Sequence, residues 1–95
     1  MEELKQVVRE IISNNIPEGV FFDAHAVIAK MLQDGNYGKY MSSGQDEATF
    51  DGLISRIIRD SDLAVDQKED TWSKNLRDKF SLNRLYKRET KKKQN

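Results

Sequence analysis

Apolar residues recur at the helical interval in three parts of the chain. In residues 49–61 they fall at Phe50, Leu53, Ile54, Ile57 and Ile58, the i, i+3, i+4, i+7, i+8 series of one buried helix face. Thr49 can cap that helix by accepting from an unpaired backbone N–H, and the start moves back to Asp46 if Asp46 and Glu47 join the first turn. Residues 2–15 carry the same stripe at Leu4, Val7, Val8, Ile11 and Ile12, with Glu2 and Glu3 in the first turn, where the helix dipole favours acids. Asn14, Asn15 and the Pro17-Glu18-Gly19 turn end it. Asp23 predicts an N-cap for a second helix over residues 24–33, with its stripe at Ala24, Val27, Ile28, Met31 and Leu32.

Between and after these helices the period changes. Val20, Phe21 and Phe22 suit a short edge strand or an extended linker. Residues 34–44 are rich in turn formers, and Tyr37, Tyr40 and Met41 predict that this loop packs partly on the core. Leu63, Ala64 and Val65 predict a strand, and the alternation from Phe80 to Lys87 predicts a second strand antiparallel to it, joined by a long loop over roughly residues 67–79. Trp72, Leu76 and Phe80 also stand four residues apart, which would suit a helix instead. The fold class expected is therefore α+β, a small three-helix domain with a C-terminal β-hairpin, with an all-α four-helix domain as the alternative. Phe21, Phe22, Phe50, Phe80 and Tyr86 are expected in the core. Trp72 is expected to pack back on it beside Leu76 and Phe80, or else to serve a partner. The domain should span residues 1–87, with 88–95 a flexible basic tail that holds no apolar residue.

Composition changes this picture in one respect. The chain has 95 residues, formal net charge zero and no cysteine, which excludes a disulfide framework or a thiolate metal site. No run approaches the roughly 18 apolar residues of a membrane span, and the acidic start MEELKQVV is unlike a secretion signal, so a cytoplasmic protein is expected. The zero charge, however, is an average. Residues 1–70 hold seven cations against fourteen carboxylates, a net of −7, and residues 71–95 hold nine against two, a net of +7. A basic C-terminal quarter can bind polyanions, or fold back on the acidic body.

Candidate chemistry is sparse. Catalysis is the class least expected, because the single histidine, His25, has only Asp23 near it in sequence, and none of the serines is close. His25 is expected to be half-buried and hydrogen-bonded. The glycines at 35, 38 and 44 form no phosphate-cradling loop, and neither a metal nor a cofactor is implied. The side of the 49–61 helix opposite its apolar stripe presents Gly52, Ser55, Arg56 and Arg59. Glycine at a solvated helix position costs about 1 kcal/mol relative to alanine, and close approach of a partner would explain its use.

The order helix, short extended segment, helix, loop, helix, strand, long loop, strand resembles that of a winged helix-turn-helix domain. The likeness rests on VFFDAHAVIAKML, TFDGLISRIIRDSDLAV and FSLNRLYKR, the positions of its second helix, its recognition helix entering strand two, and its returning strand. The resemblance implies a DNA-binding protein, such as a transcriptional regulator or a phage or plasmid accessory factor. Helix 49–61 would enter the major groove of double-stranded DNA through Gly52, Ser55, Arg56 and Arg59. Residues 66–79 would form the wing, with Lys74, Arg77, Lys79 and Arg84 on phosphates. Asp51 and Asp60, with Asp46 and Glu47 before them, deprive that helix of the usual positive field. The alternative is a protein–protein interaction module of the same fold without DNA binding.

Overall fold

The computed structural model describes residues 2–41 and 44–90. Its elements run α1 (Glu2–Asn15), β1 (Phe21–Phe22), α2 (Ala24–Gln33), α3 (Tyr37–Tyr40), α4 (Glu47–Asp60), β2 (Ala64–Lys74) and β3 (Phe80–Arg88). The three strands form an antiparallel sheet in the order β1-β3-β2. This is a small α+β domain, helices followed by a hairpin, and its layout is compatible with a winged helix. The all-α alternative is excluded, since residues 64–88 form the hairpin. Among the described residues no helix is long and apolar enough to cross a membrane.

One face each of α1, α2 and α4 builds the core. Leu4, Val8, Ile11 and Ile12 meet Val27, Ile28 and Met31, and Phe50, Ile54, Ile57 and Ile58 close the layer. Phe22, Leu63, Ala64 and Tyr86 bring the base of the sheet into the same cluster. Leu32, expected in the stripe of α2, is exposed at its C-terminal end, and Leu53 is only partly buried. Tyr37 stands edge-on to Phe50 at 5.5 Å, so the 34–44 loop packs on the core as expected, through a one-turn helix that the turn formers concealed.

The caps explain where the helices begin. Asp23 caps α2 as expected, its Oδ1 accepting from the Ala26 N–H at 3.2 Å. α4 is capped by Asp46 rather than Thr49: Asp46 Oδ1 accepts from the Thr49 N–H at 2.7 Å, so Thr49 lies inside the first turn. Acceptance of this bond favours the charged carboxylate and holds Asp46 below its usual range.

The hairpin departs most from expectation. β2 does not stop at Val65 but runs eleven residues to Lys74, and β3 reaches Arg88. An irregularity between Asp66 and Asp70, with Lys68 at φ 59° and its N–H bonded to Asp66 Oδ1 at 2.7 Å, takes up the excess residues. The true turn is only residues 75–79. It is closed by Asn75 N–H to Lys79 O at 2.9 Å, and Asn75 Oδ1 accepts from the N–H groups of Arg77 and Lys79.

Beyond this bulge the usual alternation is inverted. Thr71, Ser73, Ser81 and Asn83 face inward, while Trp72, Phe80 and Leu82 point to solvent at 64%, 64% and 55% exposure. Phe80 and Phe21, both expected in the core, are therefore outside, and Trp72 does not pack back on the body. Arg88, expected in the tail, is the buried last residue of β3, bonded to Glu18 Oε1 at 2.9 Å and Leu63 O at 3.2 Å. Residues 91–95 of that tail lie outside the described residues.

Tyr86 locks α4 to β3. Its hydroxyl lies 2.6 Å from Ser55 Oγ and donates to Ser55 O at 3.0 Å. Burial pushes its phenol above the usual range, so it stays a donor at neutral pH. Tyr86→Phe keeps the ring contact with Phe22 and loses only these bonds. It should destabilise by about 1–2 kcal/mol in urea unfolding, with an unchanged m-value.

Candidate functional site

α2, α4, β2 and β3 meet in one polar cluster around His25. The ring is 92% buried, being 8% exposed, and both nitrogens are engaged. Nδ1 contacts Ser73 Oγ of β2, and Ser73 donates its hydroxyl proton to Asp23 Oδ2. Since Ser73 has one proton and gives it to Asp23, the bond to His25 is donated by the ring Nδ1–H. Nε2 faces Asp51 Oδ2 of α4 at 3.0 Å, with Ser81 Oγ at 3.4 Å, and Asn83 donates to the same Asp51 oxygen at 3.2 Å. Burial raises the Asp51 carboxyl above its usual range, and the nearby Asp23 adds to this, against the lowering by His25 and by the Asn83 bond.

From spacing His25 had no candidate partner but Asp23; the fold sets Asp51, Ser73 and Ser81 against the ring, with Asp23 reached through Ser73 and Asn83 through Asp51. Nothing short of the topology brings positions 23, 25, 51, 73, 81 and 83 together, so local spacing held no signal for it. Chemically the cluster is a closed chain. Asp51 occupies the nitrogen that would have to receive a serine proton, and the Ser73 proton is already committed to Asp23. Among the described residues no group of three or more metal-ligating side chains converges.

His25, Asp51 and Ser81 of the cluster line an open cleft of about 620 Å³ between α4 and the hairpin turn, together with Gly52, Arg77 and Lys79. Gly52, Arg77 and Lys79 of the expected interface are thus brought together. Arg56 lies on the other flank of α4, in a groove of about 360 Å³ shared with Lys5 and Arg9 of α1. Lys5 and Arg9 were missed, although their four-residue spacing beside the α1 stripe places both on one flank.

The expected interface cations are mostly engaged within the chain. Arg77 pairs with Glu47 at 3.3 Å, Lys74 with Asp78 at 3.3 Å, Arg84 with Asp66 at 3.5 Å, and Arg59 with Asp60 at 3.3 Å. Arg56 and Lys79 make no ion pair among the described residues. Ser55, expected on the outward face, is half-buried and spent on Tyr86. Gly52 is open: a Cβ placed there would meet nothing within 4 Å. The partly exposed pairs are each worth roughly 0–1 kcal/mol, so a phosphate could displace them at small cost.

Compared with protein-family models, with curated proteins and with solved structures, the chain yields no match in any of the three.

Asp51 makes the cluster visible in a titration. Its carboxyl ordinarily titrates near 3.8, and the folded state holds the proton more tightly than the unfolded chain does. From this group alone, stability is therefore greatest below that value and declines as pH rises through the raised folded value. Asp51→Asn keeps an acceptor for Asn83 and removes the decline. In thermal melts the variant should gain on the wild type as pH rises from about 3.8 through the raised folded value of Asp51; contributions of opposite sign from Asp46 and Glu18, both lowered, are common to the two proteins and cancel.

Proposed function

We propose that this domain binds double-stranded DNA in the manner of a winged helix, with the outer arc of α4 toward the major groove and the hairpin as its wing. The observation that carries the reading is the open side of α4. Gly52 has no neighbour over it, Arg56 and Arg59 are exposed beside it, and the hairpin turn with Arg77 and Lys79 stands alongside. The element order and the β1-β3-β2 sheet support it at the level of layout.

The local ion pairs set its strength. If five cations neutralised phosphates, log affinity would fall with log salt at a slope near −4.5. With Arg59, Lys74, Arg77 and Arg84 paired internally, Arg56 and Lys79 act first, joined along the α1 groove by Arg9 and by Lys5 once it leaves its 3.5 Å pair with Glu2. Four phosphates give a slope near −3.6. Asp46, Glu47 and Asp51 line the cleft side of α4 and oppose the polyanion there, so contact favours the Arg56 flank.

A protein-interaction module of the same fold is the second reading, and the exposure of Trp72, Phe80 and Leu82 on the hairpin favours it. Titration of random-sequence duplex at about 50 and 200 mM salt separates the two. The DNA reading expects micromolar binding at the lower salt, weakened about a hundredfold at the higher. Arg56→Gln should weaken low-salt binding several-fold and make the slope shallower by about 0.9. Absence of binding at about 50 mM salt would sink the DNA reading in favour of the second.

A further inference from the structure

β2 is an edge strand, and the geometry of its last five residues is self-complementary. We infer that residues 70–74 of β2 pair antiparallel with the same residues of a second copy of this chain, forming a two-fold dimer with a continuous six-stranded sheet. The inference is independent of the DNA reading.

The backbone supplies the first half of the argument. Asn75 N–H bonds toward β3 at Lys79 O, 2.9 Å away. Because successive residues of a strand present their N–H and C=O groups to opposite sides, those of Ser73 and Thr71 also face β3. Those of Lys74, Trp72 and Asp70 face the open edge, where no strand pairs with them among the described residues. The bulge between Asp66 and Asp70, with Lys68 in the left-handed region, spoils the edge on the N-terminal side. Pairing is thereby confined to the straight segment, and the Ser73 bonds to His25 and Asp23 hold that segment in place from beneath.

The side chains supply the second half. An antiparallel self-pairing centred on Trp72 sets each Asp70 opposite Lys74 of the other copy, and Trp72 opposite Trp72. All of these side chains lie on the outer face, because Asp70, Trp72 and Lys74 are paired in register with Arg84, Leu82 and Phe80. Opposite charges therefore meet twice, on either side of a row of Leu82, Trp72 and their symmetry mates. Trp72 and Leu82, which stand in solvent in the single chain, would be partly covered. Charge complementarity within one strand identifies the occupant as this same strand.

Sedimentation of the full chain over concentrations rising to about 200 µM should show a mass moving from 11.0 kDa toward twice that, with Trp72 emission shifting to the blue. Asp70→Lys sets lysine against Lys74 of its mate, and Lys74→Glu sets glutamate against Asp70. Each variant alone should dimerise at least tenfold more weakly. An equimolar mixture of the two restores both contacts with attractive signs and should dimerise about as well as the wild type. Three results would each overturn the inference. They are a wild type that stays at monomer mass throughout, single variants that dimerise undiminished, or a mixture no tighter than its components.

Discussion

The His25 cluster is the constraint on which the arrangement of this domain turns. It joins four elements that the apolar core alone does not hold in register: the cap of α2 through Asp23, the middle of α4 through Asp51, and both hairpin strands through Ser73, Ser81 and Asn83. A buried imidazole between carboxylates is costly to strip of water, and the cost is offset only when every polar atom finds a partner. Here the donors and acceptors close in a chain from Asp23 to Asn83. A one-residue slip of either hairpin strand would point Trp72 or Leu82 at His25 in place of a hydroxyl or amide, leaving the ring and Asp51 unpaired. The cluster therefore fixes register as well as position.

That choice of a polar inner face dictates what the outer face must be. The hairpin spends its inward positions on Thr71, Ser73, Ser81 and Asn83, so the strand-forming bulk of the segment has only the outward positions left. Trp72, Phe80 and Leu82 stand there. Lys74 lies 5.7 Å from the centre of the Phe80 ring and Lys87 5.9 Å from that of Phe21, so cations shield part of the exposed aromatic surface. Lys74 is also drawn into a pair with Asp78 of the turn, and Arg84 into one with Asp66 beside the bulge, so these hairpin cations are partly neutralised where they stand. The end of β3 is tied down as well: Glu18, lowered chiefly by the Thr90 hydroxyl and further by Arg88, joins these two residues to the α1–β1 turn.

Legibility in the sequence followed the range of the interaction. The bounds of α1 and α2, the Asp23 cap and the antiparallel strands were readable, because a 3.6-residue stripe, a capping carboxylate and a two-residue alternation are local signals. The extent of β2 was not. Its inner residues are polar and its outer ones are Asp70, Trp72 and Lys74, so it lacks the apolar-in pattern that marks a half-buried strand. For the same reason the alternation from Phe80 to Lys87 reads as strand, yet Phe80, expected in the core, stands outside, while Tyr86 is buried as expected. Gly52 and the exposed arginines of α4 were placed correctly on an outward arc. Ser55 was not, because its partner Tyr86 lies 31 residues away. The convergence on His25 spans up to 56 residues, beyond the reach of spacing rules.

An inverted hairpin also bears on how the edge of β2 is managed. Proteins commonly blunt an edge strand with charge, a bulge or a covering segment. This chain uses a bulge at 66–70, which spoils the pairing of only part of the strand. On the remaining segment the charges are of both signs and two residues either side of a tryptophan, a spacing that repels a parallel copy in register, with Asp70 on Asp70 and Lys74 on Lys74, yet attracts an antiparallel one. Charge of a single sign would have protected the edge against both orientations. The arrangement present discriminates between them, and the same polar cluster that forces Trp72 outward holds the segment straight enough for that discrimination to act.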